Sequence, residues 1–127
     1  MFKSLFKHHW IEEAQHAKID VLEMQKLARS ASPETVATAL ADYADICRAF
    51  AGVLAEQATL DVDSFECSRD RTLGGDERTA LLADQSRAYR DIFLVQGMRN
   101  LGFVERVAEL TPSAPALLGE LAAELAA

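Results

Sequence analysis

Apolar residues return at three- and four-residue steps along most of the chain, the spacing of amphipathic helices rather than of strands. The first such stretch predicts a helix from about Phe2 to Arg29. Ser30-Ala31-Ser32-Pro33-Glu34 then ends it and opens the next, with Ser32 as N-cap, Pro33 at the first helical position and Glu34 in the first turn. A second helix is expected from Pro33 to around Phe65, with Val36, Leu40, Tyr43, Cys47, Phe50, Leu54, Gln57, Asp61 and Phe65 as one inner stripe. Asp45, Arg48, Glu56 and Asp63 fall on its outer face. Ser68 to Gly75 reads as a loop punctuated by Gly74-Gly75. A third helix starts near Asp76 or Glu77 and reaches about Arg99. Its inner face is Leu81, Gln85, Ala88, Ile92, Val95 and Arg99, with Leu82, Tyr89 and Phe93 beside it. Asn100 and Gly102 mark a break, a short helix covers Phe103 to Leu110, and Thr111-Pro112-Ser113 leads into a last helix, Ala114 to Leu125. No internal repeat and no strand pattern interrupts this series.

The expected fold is therefore all-α: a single helical domain over residues 1–127, with three long helices and two short C-terminal ones. Composition agrees, since half of the 127 residues are hydrophobic while only 7% are aromatic, a balance suited to packed helices. A formal charge of −7 without any run of Lys and Arg argues against a nucleic-acid partner. No apolar run reaches bilayer length, so no membrane partner is expected, and His8, His9, Glu12 and Glu13 interrupt any signal-peptide core. Cys47 and Cys67, twenty residues apart, make no C-x-x-C or zinc-knuckle spacing. Cys47 reads as a small core residue and Cys67 as an exposed thiol, a usage that suits a reducing cytoplasm.

Candidate chemistry is concentrated on the first helix. At about 100° per residue, His9, Glu13, His16 and Asp20 fall within roughly 60° of one another. Phe2, Phe6, Met24 and Leu27 project from the same side, while Lys7, Lys18, Gln25 and Arg29 lie opposite. Two imidazoles and two carboxylates thus occupy the stripe expected to face the core. Burying such groups without partners is costly. A metal ion held by neutral imidazoles and ionised carboxylates would satisfy them, and so would a buried hydrogen-bond cluster in which Glu13 or Asp20 accepts from an imidazole. E-x-x-H on an inward helix face is the ligand pattern of carboxylate-bridged dimetal bundles, whereas the H-E-x-x-H spacing of zinc proteases is absent. His8 and Glu12 lie further round the helix, at the rim.

Gln57 and Asp61, four residues apart, form a second polar intrusion on an apolar face. Asp61 would add an oxygen ligand, orient a ligating imidazole, or make an inter-helix hydrogen bond. Tyr89 reads as packed at a bundle edge, with Asp84, Arg90 and Asp91 on a solvated charged face. Trp10, about 100° from His9, reads as packing between helices or subunits. Neither cysteine and no serine has a His-containing constellation for nucleophilic catalysis, and Gly74-Gly75 alone is no phosphate loop.

The segment His9-Trp10-x-Glu12-Glu13-x-Gln15-His16-Ala17-x-x-Asp20 resembles the last ligand helix of ferritin-like dimetal-carboxylate proteins. The similarity continues through Gln57-Ala58-x-x-Asp61-x-x-x-Phe65 and Ala88-Tyr89-Arg90. H-x-x-x-E-x-x-H is also similar to the arylamine N-oxygenase branch, in which all three residues ligate iron. The resemblance implies a ferritin-like bundle in which His9, Glu13 and His16 hold Fe or Mn, with Asp20 or Asp61 adding oxygen ligands. It implies diiron oxidase or oxygenase chemistry on a small-molecule substrate. Ferritin-like chains supply further Glu ligands and another E-x-x-H from upstream helices, which have no counterpart here. The chain thus resembles the C-terminal half of that architecture, and a homodimer is the expected way to bring two ligand helices together. The alternative is a non-catalytic helical dimerisation or interaction module that keeps the His/Glu cluster as a hydrogen-bonded network.

Overall fold

The computed structural model describes residues 2–127, which are helical over most of their length, with no strand among the described residues. Helix α1 runs Phe2–Ser30, α2 Pro33–Arg69 and α3 Gly75–Arg90. A wider π turn, Asp91–Val95, carries α3 into the short α4, Gln96–Met98. The chain ends with α5, Leu101–Ala108, and α6, Ala114–Ala126. The packing divides the chain into two compact units, Met1–Ala37 and Thr38–Ala127.

The helix ends follow local chemistry. The Ser32 hydroxyl accepts from the Thr35 amide at 3.1 Å, the cap expected at the start of α2. At the far end α2 runs four residues past Phe65 and stops in a Schellman arrangement. The Arg71 amide donates to the Glu66 carbonyl at 3.1 Å, the Asp70 amide to the Cys67 carbonyl at 3.4 Å, and Asp70 takes φ 47°. Aspartate tolerates that left-handed conformation better than most residues. The following loop is clamped from both sides: the Glu66 carboxylate accepts from the Leu73 amide at 2.6 Å and from Arg78, which also reaches Asp63 at 2.5 Å. Leu73 is buried beneath this clamp.

In the unit Thr38–Ala127, α2 and α6 each supply five buried residues. Leu121, Ala122 and Leu125 pack with Ala44, Cys47 and Leu54 of α2, with Leu94 and Val95 of the π turn, and with Met98. Ala114 and Leu118 pack with Val107 of α5, covered by Leu40, Tyr43 and Phe103. Cys47 is buried and Cys67 exposed, and burial together with a hydrogen bond to Cys47 pushes the Tyr43 hydroxyl up to about 12. The inner stripe of α2 is rotated from the expected one: Ala44, Ala58 and Val62 are buried, whereas Phe50 and Gln57 are exposed.

The third long helix departs further from its sequence pattern. Of the expected inner positions in this stretch Val95 is buried, but Ile92 and Arg99 are exposed, with Leu94 and Met98 buried in their place and Phe93 exposed. A π turn accommodates one extra residue, which displaces the inner stripe by roughly 100°.

Two polar ties close the edges of this core. Arg48 grips Glu124 of α6 through Nε at 2.8 Å and Nη2 at 2.9 Å. Arg90 donates from Nε to the Leu125 carbonyl at 2.9 Å, placing a cation at the C-terminal end of α6.

Truncating Leu118, which is 1% exposed, removes a side chain with no space to collapse into. Leu118→Ala is expected to lower unfolding free energy by about 3 kcal/mol in urea denaturation. The Arg48 guanidinium holds the Glu124 carboxyl below its ordinary value, so the unfolded chain binds that proton more readily than the folded one. The stabilisation is full above the unfolded carboxylate value and lost as pH falls through the folded one. Glu124→Gln should therefore destabilise at pH 7, and its difference from the wild type should shrink as denaturation is repeated toward pH 3.

Candidate functional site

Helix α1 forms over the expected residues, and its own spacing brings the expected side chains together. Glu13 lies between two imidazoles: His9 Nε2 is 3.7 Å from one carboxylate oxygen and His16 Nδ1 is 3.7 Å from the other. The stripe is not buried within the chain. No residue of α1 is buried, and the His9, Glu13 and His16 side chains are 65%, 55% and 67% exposed. Asp20 is exposed on the same side, one turn beyond His16. Phe2, Leu5, Phe6 and Leu27 of that side are exposed too, as is Trp10 at its edge, at 77%. The expectation of an inward-facing cluster therefore fails for the single chain, because α1 gathers these groups without covering them.

The three donors spread over about 10 Å of helix. Among the described residues no three His, Cys, Asp or Glu side chains converge to hold one ion. Glu13 with an imidazole on either side is a donor set of the right chemistry for Fe or Mn, but one helix leaves most of a coordination sphere unfilled.

Asp61 belongs to a different cluster, in the unit Thr38–Ala127. Gln57 Nε2 donates to its Oδ1 at 2.8 Å, and the Tyr89 hydroxyl donates to its Oδ2. Of the roles open to Asp61, the inter-helix hydrogen bond is the one observed. By accepting a hydrogen bond from the Tyr89 hydroxyl, the Asp61 carboxylate pushes that hydroxyl's pKa above its ordinary value. Phe93 packs against the Tyr89 ring at 5.8 Å between centroids. Tyr89, expected only to pack at a bundle edge, gains this bond from the packing of α3 on α2, which sequence spacing does not reveal.

Other polar groups are already engaged. Arg87 pairs with Asp84, and Gln96 donates to Asp91 at 2.8 Å. Asp84, Arg87 and Asp91 line an open depression of about 480 Å³ with Ala88 and Ala126. Comparison with known protein families, curated proteins and solved structures finds no match to this chain.

The Tyr89–Asp61 bond has a spectroscopic consequence. Tyr43 and Tyr89, the two tyrosines of the chain, both ionise above the ordinary value near 10. In an absorbance titration at alkaline pH, Asp61→Asn is expected to bring one of the two transitions back down and leave the other in place.

Proposed function

We propose that this chain is a self-associating, ferritin-like helical protein in which the α1 helices of two copies meet and their His9, Glu13 and His16 side chains together hold Fe or Mn. The observation that carries this reading is that α1 exposes Phe2, Leu5, Phe6 and Leu27 on the same side as the Glu13 carboxylate and its two imidazoles. A helix with that much exposed apolar surface gains by covering it. Covering it with itself would double the donor set while removing water from around it. Asp20, one turn beyond His16, is the adjacent carboxylate able to add an oxygen ligand.

When bound, such a metal would supply oxidase or oxygenase chemistry on a small molecule. The chain's own contribution is to present the donors. Glu13 sits where its two oxygens face His9 and His16 separately, and Phe2, Phe6 and Leu27 would exclude water at either end of the polar stretch. Asp61, already occupied by Gln57 and Tyr89, is the weaker ligand candidate.

A second reading keeps the self-association and omits the metal, with the His9 and His16 imidazoles of each copy bonded to acids of the other. It is favoured by the failure of any three donors to converge within one chain among the described residues. Protein purified without chelator is expected to carry Fe or Mn by elemental analysis, and Glu13→Ala to lower that content at least about tenfold. No bound metal in the wild type would end the metal reading. The second reading predicts that His16→Ala lowers the melting temperature equally with and without added Fe(II).

A further inference from the structure

The unit Thr38–Ala127 leaves one apolar face of α2 uncovered. Ile46, Phe50, Val53 and Leu60 follow one another along a single side of the helix and all are exposed, Ile46 at 67%. The π turn extends this surface, since exposed Phe93 lies against Tyr89, whose hydroxyl reaches Asp61 of α2. Asp42 stands one turn before Ile46, and Glu56 stands between Val53 and Leu60; both acids are exposed.

Charge distinguishes the possible occupants. Residues 38–127 hold eight of the thirteen cations and fifteen of the twenty acids, so the whole formal charge of −7 falls in this unit. Two copies of this face meeting each other would set Asp42 and Glu56 against like charge. Helix α1 has the opposite balance, with Lys3, Lys7, Lys18, Lys26 and Arg29 against Glu12, Glu13, Asp20 and Glu23. On the side of α1 away from His9, Glu13 and His16, exposed Ile11 and Leu22 stand in line with Lys7, Lys18 and Arg29. That is a basic-rimmed apolar stripe of helical length, which is what an acid-rimmed apolar stripe fits.

We infer that the exposed α2 face receives the α1 helix of a second copy, Ile11 and Leu22 meeting Ile46, Phe50, Val53 and Leu60, with Lys7, Lys18 and Arg29 set toward Asp42 and Glu56. The inference rests on the self-association proposed above but uses the other side of α1, so it does not depend on the metal. Each copy gives its α1 and receives its partner's, and the two contacts are equivalent.

The test exchanges charge between two variants. One carries Lys7→Glu, Lys18→Glu and Arg29→Glu; the other carries Asp42→Lys and Glu56→Lys. All five positions are exposed, and far-ultraviolet circular dichroism checks that each variant stays helical. Wild type is expected to sediment at twice 13.9 kDa. Each variant alone should dissociate at least about tenfold more readily. An equimolar mixture should regain the wild-type affinity, because both contacts of the mixed dimer again pair opposite charges. A monomeric wild type, variants of unchanged affinity, or a mixture no tighter than its components would overturn the inference. Glu13→Ala in the same assay separates the two proposals. Loss of metal with mixing intact supports both, whereas a metal-free wild type whose charge variants still rescue each other refutes only the metal.

Discussion

The seating of α6 against α2 and the π turn is the contact on which the larger unit depends. Leu121, Ala122 and Leu125 fill the space between Ala44, Cys47 and Leu54 on one side and Leu94, Val95 and Met98 on the other. The small Ala44 of α2 and Ala122 of α6 alternate in this cluster with large side chains of the π turn and α6. The polar ties sit at the margin of this contact rather than in it. Arg48 holds Glu124 in a two-point grip and Arg90 satisfies a terminal carbonyl of α6. They tie the last turn of α6 to α2 and α3, while apolar burial supplies most of the stabilisation.

The π turn is what fits the third long helix to that contact. One additional residue rotates the following stretch so that Leu94, Val95 and Met98 meet α6. The same rotation turns Ile92 and Phe93 outward. Wide turns of this kind weaken local hydrogen bonding and persist where the altered phase has a use. Here it brings Leu94, Val95 and Met98 into the core and leaves Phe93 exposed against Tyr89.

Helix α1 poses the opposite case. It has strong helical periodicity and a capped exit at Ser32, but no buried residue. Such a helix, carrying Trp10 and Phe2 at 77% exposure, leaves a large apolar surface in water. Its two sides differ in chemistry: one sets imidazoles and carboxylates among aromatic residues, the other sets lysines and an arginine beside Ile11 and Leu22. The acidic unit Thr38–Ala127 differs again, with exposed apolar residues beside Asp42 and Glu56.

Local order was written into the chain: the period of three and four fixed the helices, and Ser32, Pro33 and Asn100 punctuated them. The grouping of His9, Glu13 and His16 follows from spacing on one helix, so it too was legible before any fold was known. The pairing of Gln57 with Asp61 was legible for the same reason. Burial was not, because periodicity says which residues share a side and not what lies opposite that side. Hence the His9 stripe was expected inside and stands exposed, and Ile92 was expected inside until a single extra residue in the π turn rotated it out. The Tyr89–Asp61 bond, the Arg48–Glu124 grip and the clamp of Asp63, Glu66 and Arg78 around Leu73 likewise join residues distant in sequence. Only the packing of helix on helix sets the distances on which such bonds depend.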